Sequence, residues 1–334
     1  MKALVTGSNG FLGAAVVERL LAHGFAAPRC LVRPGSDRSR LDAIAAAHPD
    51  QPIEIVTGKL SSPRDCEPLI DGVDVLFHVA AGTAGGAADM FLSSVVASKN
   101  LLEVMPTSTK VVLVSSFGVY GVADLPKGAV IDESTPVDPQ PHKRDIYSHS
   151  KHRQEQLFFD HAERRGIALT TLRPGVIYGP GGGGAMSSRV GLRMPGVFLY
   201  LGGDNILPLS YVDNCAEALV VAGKSDQAWG QIYNVHDDDL VSARDFLAAY
   251  EEQVQPLRKL PVPYPLLLLG SHLVERYHDY SRGQLPAIFT PYKTKTMWKS
   301  HRFSNAKLKS LGWKQLVSTE EGMRRALAYH RSKL

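Results

Sequence analysis

The sequence predicts an α/β fold, a doubly wound parallel sheet with a smaller, partly interleaved C-terminal region. Three observations carry that expectation. Short apolar runs alternate with helical stretches through the first half, a glycine-rich turn separates the first such pair, and the patterning changes after Ser116. Repeated strand–helix–strand alternation implies crossovers, which place helices on both faces of a parallel sheet and are right-handed.

The elements follow in order. Lys2–Thr6 is a short apolar strand, and Phe11–His23 has apolar residues at helical spacing, ending near Gly24. Arg29–Arg33 reads as the second strand, Ser39–Ala47 as an alanine-rich helix and Ile53–Thr57 as the third strand. Val73–Ala80 is a largely unbroken apolar run, as expected of a strand covered on both faces. Val95–Met105 reads as helix and Lys110–Ser115 as another buried strand. Gly121–Lys143, rich in Pro, Gly and Asp, reads as a long loop before the strong helix Asp145–Arg165 and the strand Ala168–Leu172. Arg173–Gly184 reads as a Pro/Gly loop, and short elements follow at Cys215–Ala222, Gln231–Asn234, Ala243–Val254 and Thr319–His330.

A chain of 334 residues buries a sizeable core without staples. Its formal charge of +4 is scattered, which argues against nucleic acid as a partner. Cys30, Cys66 and Cys215 lie far apart, and no CxxC or His/Cys spacing suggests a disulfide framework or a metal site. A reducing, cytoplasmic setting is the expectation. Met1–Thr6 runs directly into a strand, so a signal peptide is not expected. Pro261–Gly270, with Leu266–Leu269, is too short to span a bilayer and reads as a buried or lid helix rather than a membrane-surface anchor.

The first strand leads into Thr6-Gly7-Ser8-Asn9-Gly10-Phe11-Leu12-Gly13, which opens a helix, the context a dinucleotide site requires. Gly7 permits a tight turn, Gly10 lets backbone amides approach a pyrophosphate, and Gly13 lets helix and strand pack closely. The free amides and positive end of the helix attract phosphate. At the end of the second strand an acid would bind the adenine ribose hydroxyls of NAD. Arg33 stands there instead, with Arg38 nearby, and a guanidinium suits a 2′-phosphate, so NADP is favoured over NAD.

Tyr147 and Lys151 are four apart on one predicted helix and so share a face. An ammonium near a phenol lowers the phenol pKa from its reference of ~10 and makes it an acid/base. By itself such a pair is more often a surface contact. The strand Val111–Val114, however, ends in Ser115-Ser116-Phe117-Gly118-Val119-Tyr120-Gly121, which puts a hydroxyl at the carboxyl edge where such sheets bind ligands. Ser116 is the preferred hydroxyl and Ser115 the competitor.

The ordered set TGSNGFLG (6–13), HVAA (78–81), VSSFGVYG (114–121), YSHSK (147–151), LRPGVIYGPGG (172–182) and YVDNCAEAL (211–219) resembles the extended short-chain dehydrogenase/reductase family over most of the chain. The resemblance implies a Rossmann-type domain, mainly residues 1–175, and a substrate-binding region, mainly 176–334, whose segments return to the first. It implies a catalytic set of Ser116, Tyr147 and Lys151, with Ser116 and Tyr147 holding the substrate oxygen and Lys151 on the nicotinamide ribose. It further implies cofactor contacts from Gly7 through Gly13, including Asn9, Phe11 and Leu12, and from Arg33, Lys59, Leu60, Ala80, Pro174 and Val176. His78 reads as a packed histidine. Family members commonly pair through two helices, so a homodimer is among the expectations.

Two departures stand out. Gly58-Lys59-Leu60 lacks the acid that often follows the third strand, and Ser94 precedes Val95 where an asparagine is common, although Asn100 is kept. Phe117 and Gly118 replace the acidic pair of the family's dehydratases, which disfavours dehydration. A sugar-nucleotide epimerase or carbohydrate oxidoreductase, a ketone, aldehyde or 3β-hydroxysteroid-like dehydrogenase, and a non-catalytic cofactor-binding regulator remain as readings. Arg189, Arg193 and Tyr211 are candidate substrate residues. The two arginines read either as a diphosphate grip or as an exposed helix face.

Overall fold

The computed structural model describes residues 1–82, 85–182, 186–281 and 289–334. Strand β1 (Ala3–Thr6) leads through α1 (Phe11–Ala22) to β2 (Arg29–Val32), α2 (Ser39–Ala47), β3 (Glu54–Thr57), α3 (Pro63–Ile70) and β4 (Val75–His78). Helix α4 (Ala87–Phe91) continues through a π-turn into α5 (Ala97–Val104), which precedes β5 (Lys110–Val114). After the short β6 (Val130–Ile131), the long α6 (Ile146–Arg165) leads to β7 (Leu169–Pro174) and β8 (Val176–Tyr178). The second half supplies β9 (Gly191–Met194), β10 (Val197–Tyr200), β11 (Leu209–Tyr211), α7 (Val212–Lys224), β12 (Ile232–Val235), α8 (Ala243–Gln253) and β13 (Lys259–Pro261). It closes with α9 (Tyr264–Tyr280), α10 (Pro291–Trp298), β14 (Arg302–Phe303), α11 (Ala306–Ser310) and α12 (Thr319–Arg331).

Seven strands form one parallel sheet in the order β12-β7-β5-β4-β1-β2-β3. Successive side chains of a strand point to opposite faces, and the core divides accordingly. Val5, Phe77 and Val112 pack with Val16 and Leu20 of α1 and Ala216 and Leu219 of α7. Leu4, Leu76 and Leu113 pack on the other face with Leu69 of α3, Leu101 of α5 and Phe158 of α6. Both α7 and β12 come from the second half of the chain, which thus gives the main sheet its edge strand and one of its faces a helix.

Two loop expectations are corrected in part. Within Arg173–Gly184, β7 runs on to Pro174 and β8 pairs in parallel with β11, leaving only Gly175 between the two strands. Gly175 has no room for a side chain, since a Cβ there would stand 2.0 Å from the Pro208 carbonyl oxygen. Gly183 and Gly184 lie outside the described residues. Within Gly121–Lys143, Val130–Ile131 pairs with β14, a partner more than 150 residues away. The Leu266–Leu269 run begins α9, which buries only Leu267 and Ser271, whereas Leu266, Leu269 and Leu273 are each about 60% exposed. Thus α9 is a surface helix, not a buried one. No helix among the described residues is long and apolar enough to cross a membrane.

An ion pair ties the sheet to α6. Arg173 Nε donates to Glu155 Oε2 at 3.1 Å, Nη2 donates to Oε1, and both side chains are almost wholly buried. The guanidinium lies 4.6 Å over the Tyr120 ring, and the Tyr120 hydroxyl donates to Asn234 Oδ1 of β12 at 2.6 Å. Removing one partner of such a pair strands the other charge away from water. Glu155→Ala is therefore expected to destabilise the protein by about 3 kcal/mol or more in urea unfolding. The double replacement Glu155→Met with Arg173→Met is expected to recover much of that loss; a single variant within about 1 kcal/mol of the parent contradicts the assignment.

Candidate active site

The turn after β1 is built for close approach. Gly7 has φ +69°, a conformation glycine adopts without strain, and its carbonyl accepts the Gly10 amide at 3.0 Å. A Cβ at Gly13 would stand 2.0 Å from the Gly7 oxygen, so only glycine lets α1 begin here. Ser8 Oγ donates to the Leu31 carbonyl at 2.8 Å and Asn9 Nδ2 to the Asp37 carbonyl at 2.8 Å, which anchors the turn to β2 and the loop after it. No side chain caps α1 and no acid sits in its first turn. The amides of Phe11 and Leu12 are thus presented to an incoming anion, as a pyrophosphate site requires. The cradle therefore fits a dinucleotide.

Around it, Arg40 lies 5.6 Å over the Phe11 ring and donates to the Gly181 carbonyl at 2.7 Å. Arg33 is exposed at the end of β2 and, among the described residues, its guanidinium makes no hydrogen bond or ion pair. Arg38, by contrast, is 3.4 Å from Asp42. Lys59 is exposed, and the Leu60 carbonyl accepts Asn100 Nδ2 at 2.9 Å. Ser94 Oγ accepts the Gly82 amide at 2.9 Å, which fixes the segment after Ala80.

Ser116 opens a tight 3-10 turn, its Oγ accepting the Gly118 amide at 3.0 Å. Tyr147 lies in the first turn of α6, where Asp145 caps the helix by accepting the Ser148 amide at 2.7 Å. Burial raises the phenol pKa. Hydrogen bonding from the Ser116 hydroxyl and the Arg144 charge pull it down, while the Asp145 charge adds to the rise. Ser115, the competing hydroxyl, is buried with Oγ unpartnered.

Lys151 lies one turn beyond Tyr147. Its Nζ donates to the Val114 carbonyl at 2.8 Å and to Gln154 Oε1 at 3.0 Å. Burial lowers its pKa to about 8. Arg144, a residue the sequence reading passed over, is one cation whose charge lowers the phenol pKa. Gln154 was passed over too. Its Nε2 donates to Ser98 Oγ at 2.9 Å, and that hydroxyl lies 2.9 Å from His78 Nε2. His78 Nδ1 in turn lies 3.0 Å from Thr6 Oγ1, which accepts the Ala80 amide at 3.2 Å. A buried polar chain thus runs from the lysine to the end of β1. Burial pushes the His78 imidazole down to about 3, so it is neutral and structural. Gln154, three residues after Lys151 on one helical face, was findable by spacing.

Pro174 is buried at the end of β7, and the Val176 amide donates to the Pro208 carbonyl at 2.7 Å. The arginine pair does not share a helix face: Arg193 is exposed on β9, whereas Arg189 precedes that strand and points into a small pocket beside Phe117 and Arg144. Tyr211 is 2% exposed and packs on Tyr178 with ring centres 5.5 Å apart.

Comparison with known proteins agrees with this geometry. Residues 3–235 match the model of the NAD dependent epimerase/dehydratase family. The chain is 27% identical to 2-alkyl-3-oxoalkanoate reductase of Shewanella oneidensis, with 98% of this chain and 85% of that one aligned. It is 26% identical to the decarboxylating sterol-4-alpha-carboxylate 3-dehydrogenase of Bos taurus, over 96% and 90% of the two chains. Among solved structures, that of gox2253 superposes with a TM-score of 0.79 at 25% identity, covering 99% of this chain and 98% of that one. The UDP-glucose 4-epimerase of Thermus thermophilus, solved with NAD, shares the fold at 22% identity and a TM-score of 0.70, with both chains fully covered. With its sheet order, glycine turn and family match in agreement, the chain belongs to the NAD dependent epimerase/dehydratase family of extended short-chain dehydrogenase/reductases.

Proposed function

We propose that the protein catalyses net oxidation or reduction between a secondary alcohol and a ketone, with Tyr147 as acid/base. The observation that carries this reading is the Ser116 hydroxyl set against the Tyr147 phenol at the carboxyl edge of β5, with Lys151 one turn further along α6. A nicotinamide dinucleotide bound on the Gly7–Gly13 turn supplies or takes the hydride. Ser116 and Tyr147 hold the reacting oxygen, and Tyr147 gives up or receives its proton. The named reactions of the reductase and the sterol dehydrogenase above are net redox reactions, which favours this reading over a sugar-nucleotide epimerase.

Arg33 supports NADP over NAD, because an exposed guanidinium without a partner is free to take a 2′-phosphate. Arg33→Ser is expected to weaken NADP(H) binding about tenfold while changing NAD(H) affinity little. Titration of cofactor fluorescence with both dinucleotides checks this, and equal loss for both refutes the assignment. Tyr147→Phe is expected to lower turnover about 100-fold or more with cofactor affinity retained. Steady-state assays over a panel of ketones and secondary alcohols, run beside direct cofactor titration, decide it.

Burial keeps the phenol protonated through neutral pH, and only the phenolate accepts a proton. The oxidation rate is therefore expected to climb with rising pH, while the reduction rate stays level until the phenol ionises. Profiles of kcat/KM in both directions test this; oxidation that slows as pH rises from neutrality contradicts it.

A further inference from the structure

We infer that α9 docks the protein on the surface of an anionic lipid bilayer, its exposed apolar ridge seated at the headgroup boundary and the basic residues around it on the headgroups. This interaction surface stands apart from the catalytic reading above and does not depend on it.

The ridge follows from the order of residues in the helix. Leu266, Leu269, Leu273, Tyr277 and Tyr280 succeed one another at spacings of three and four, so they share one face. All five are more than half exposed, and Tyr280 is 85% exposed. Leu260, on the strand β13 that leads into the helix, is more than half exposed as well. The side of α9 that carries Leu267 and Ser271 is buried instead. Leu267 packs with Leu201 and with Trp298 of α10, and Val262, Tyr264 and Met297 pack around them. The helix is thus held by one apolar face and presents another, and a helix apolar on two faces ordinarily buries both.

Charge identifies the partner. Between α8 and β14, residues 254–301 hold seven Lys and Arg against two acids, Glu275 and Asp279. That segment therefore carries +5 where the whole chain carries +4, and the rest of the chain is −1. Lys259 is paired with Glu251, whereas Arg258 and Arg276 are exposed. By helical spacing Arg276 flanks the ridge, while Glu275 and Asp279 fall on the far side of α9 from it. Anionic headgroups attract Lys and Arg held near them, and leucine with tyrosine is a composition that seats at the headgroup boundary. From Leu266 to Tyr280 the ridge runs about 21 Å, a convex edge that suits a plane better than a cleft. A second copy of this chain is the poorer occupant, because it would bring two such basic segments together. The helix lies on the bilayer rather than in it, since no described helix is long and apolar enough to cross.

Co-sedimentation of the full chain with phosphatidylcholine vesicles, made with and without about 30% phosphatidylglycerol, tests the inference. The parent protein is expected to bind the anionic vesicles about tenfold or more tightly than the neutral ones, and to be released by high salt. Leu266→Gln, Leu269→Gln and Leu273→Gln combined keep good helix formers at exposed positions. They are expected to lower binding about tenfold or more with the melting temperature retained. Arg258→Gln with Arg276→Gln is expected to remove most of the preference for anionic vesicles and to leave binding to neutral ones unchanged. Failure of the parent to bind anionic vesicles overturns the docking surface, as does a leucine variant that binds like the parent. Equal binding of the parent to neutral and anionic vesicles overturns the anionic assignment. Light scattering without lipid addresses the second copy. A parent dimer that the leucine substitutions split, together with no vesicle binding, gives the ridge to self-pairing and overturns the lipid assignment.

Discussion

The close approach of α1 to the end of β1 is the constraint on which the rest depends. The Gly7 carbonyl occupies the place where a side chain at position 13 would begin, so the helix starts against the strand with its first amides unclaimed. From that contact the polarity of the site follows. The helix end is positive, β4 and β5 end beside it, and the chain leaving them must pass over the same edge. Thr6, the last residue of β1, is tied to both His78 and the Ala80 amide, so one hydroxyl joins the start of the glycine turn to the loop after β4.

Around Tyr147, burial and charge act in opposite directions. Water exclusion alone would leave Tyr147 a poor proton acceptor. Ser116 and Arg144 act against that, one by hydrogen bonding and the other through space. Lys151 faces inward, held by the Val114 carbonyl and by Gln154. Its depressed pKa reflects the same dry surroundings. The lysine is thus tied to the sheet edge, and Gln154 links it to Ser98 and His78.

Much of this was legible in the sequence because the signals are local. The Gly7-to-Gly13 spacing, the apolar runs of β1, β4 and β5, and the Tyr147/Lys151 face each depend on neighbours a few residues away. Helix α3 also left a local trace that went unread: Ser62 before Pro63, with the Asp65 amide bonded to the serine hydroxyl at 3.3 Å, is a helix start. What was not legible depends on distant partners. Strand β8 exists because β11 lies beside it, and β6 because β14 does. Arg189 gave no sign of the pocket it lines, since Thr296, His301 and Phe303 reach the same wall from more than a hundred residues away. The leucines of α9 suggested a buried or lid helix, yet burial is decided by what packs on a face, and among the described residues little packs on Leu266, Leu269 and Leu273.

Gly175 joins two sheets. The strand leaves the large sheet at Pro174 and, one residue later, is paired with β11 in a small one. The Val176 amide closes on the Pro208 carbonyl, the same oxygen that leaves no space for a side chain at 175. The seven-stranded sheet and the two-stranded sheet therefore meet along a seam one residue wide. Relative alignment of the two sheets at this point is set by main-chain atoms, which no change of side chain at Val176 or Pro208 removes.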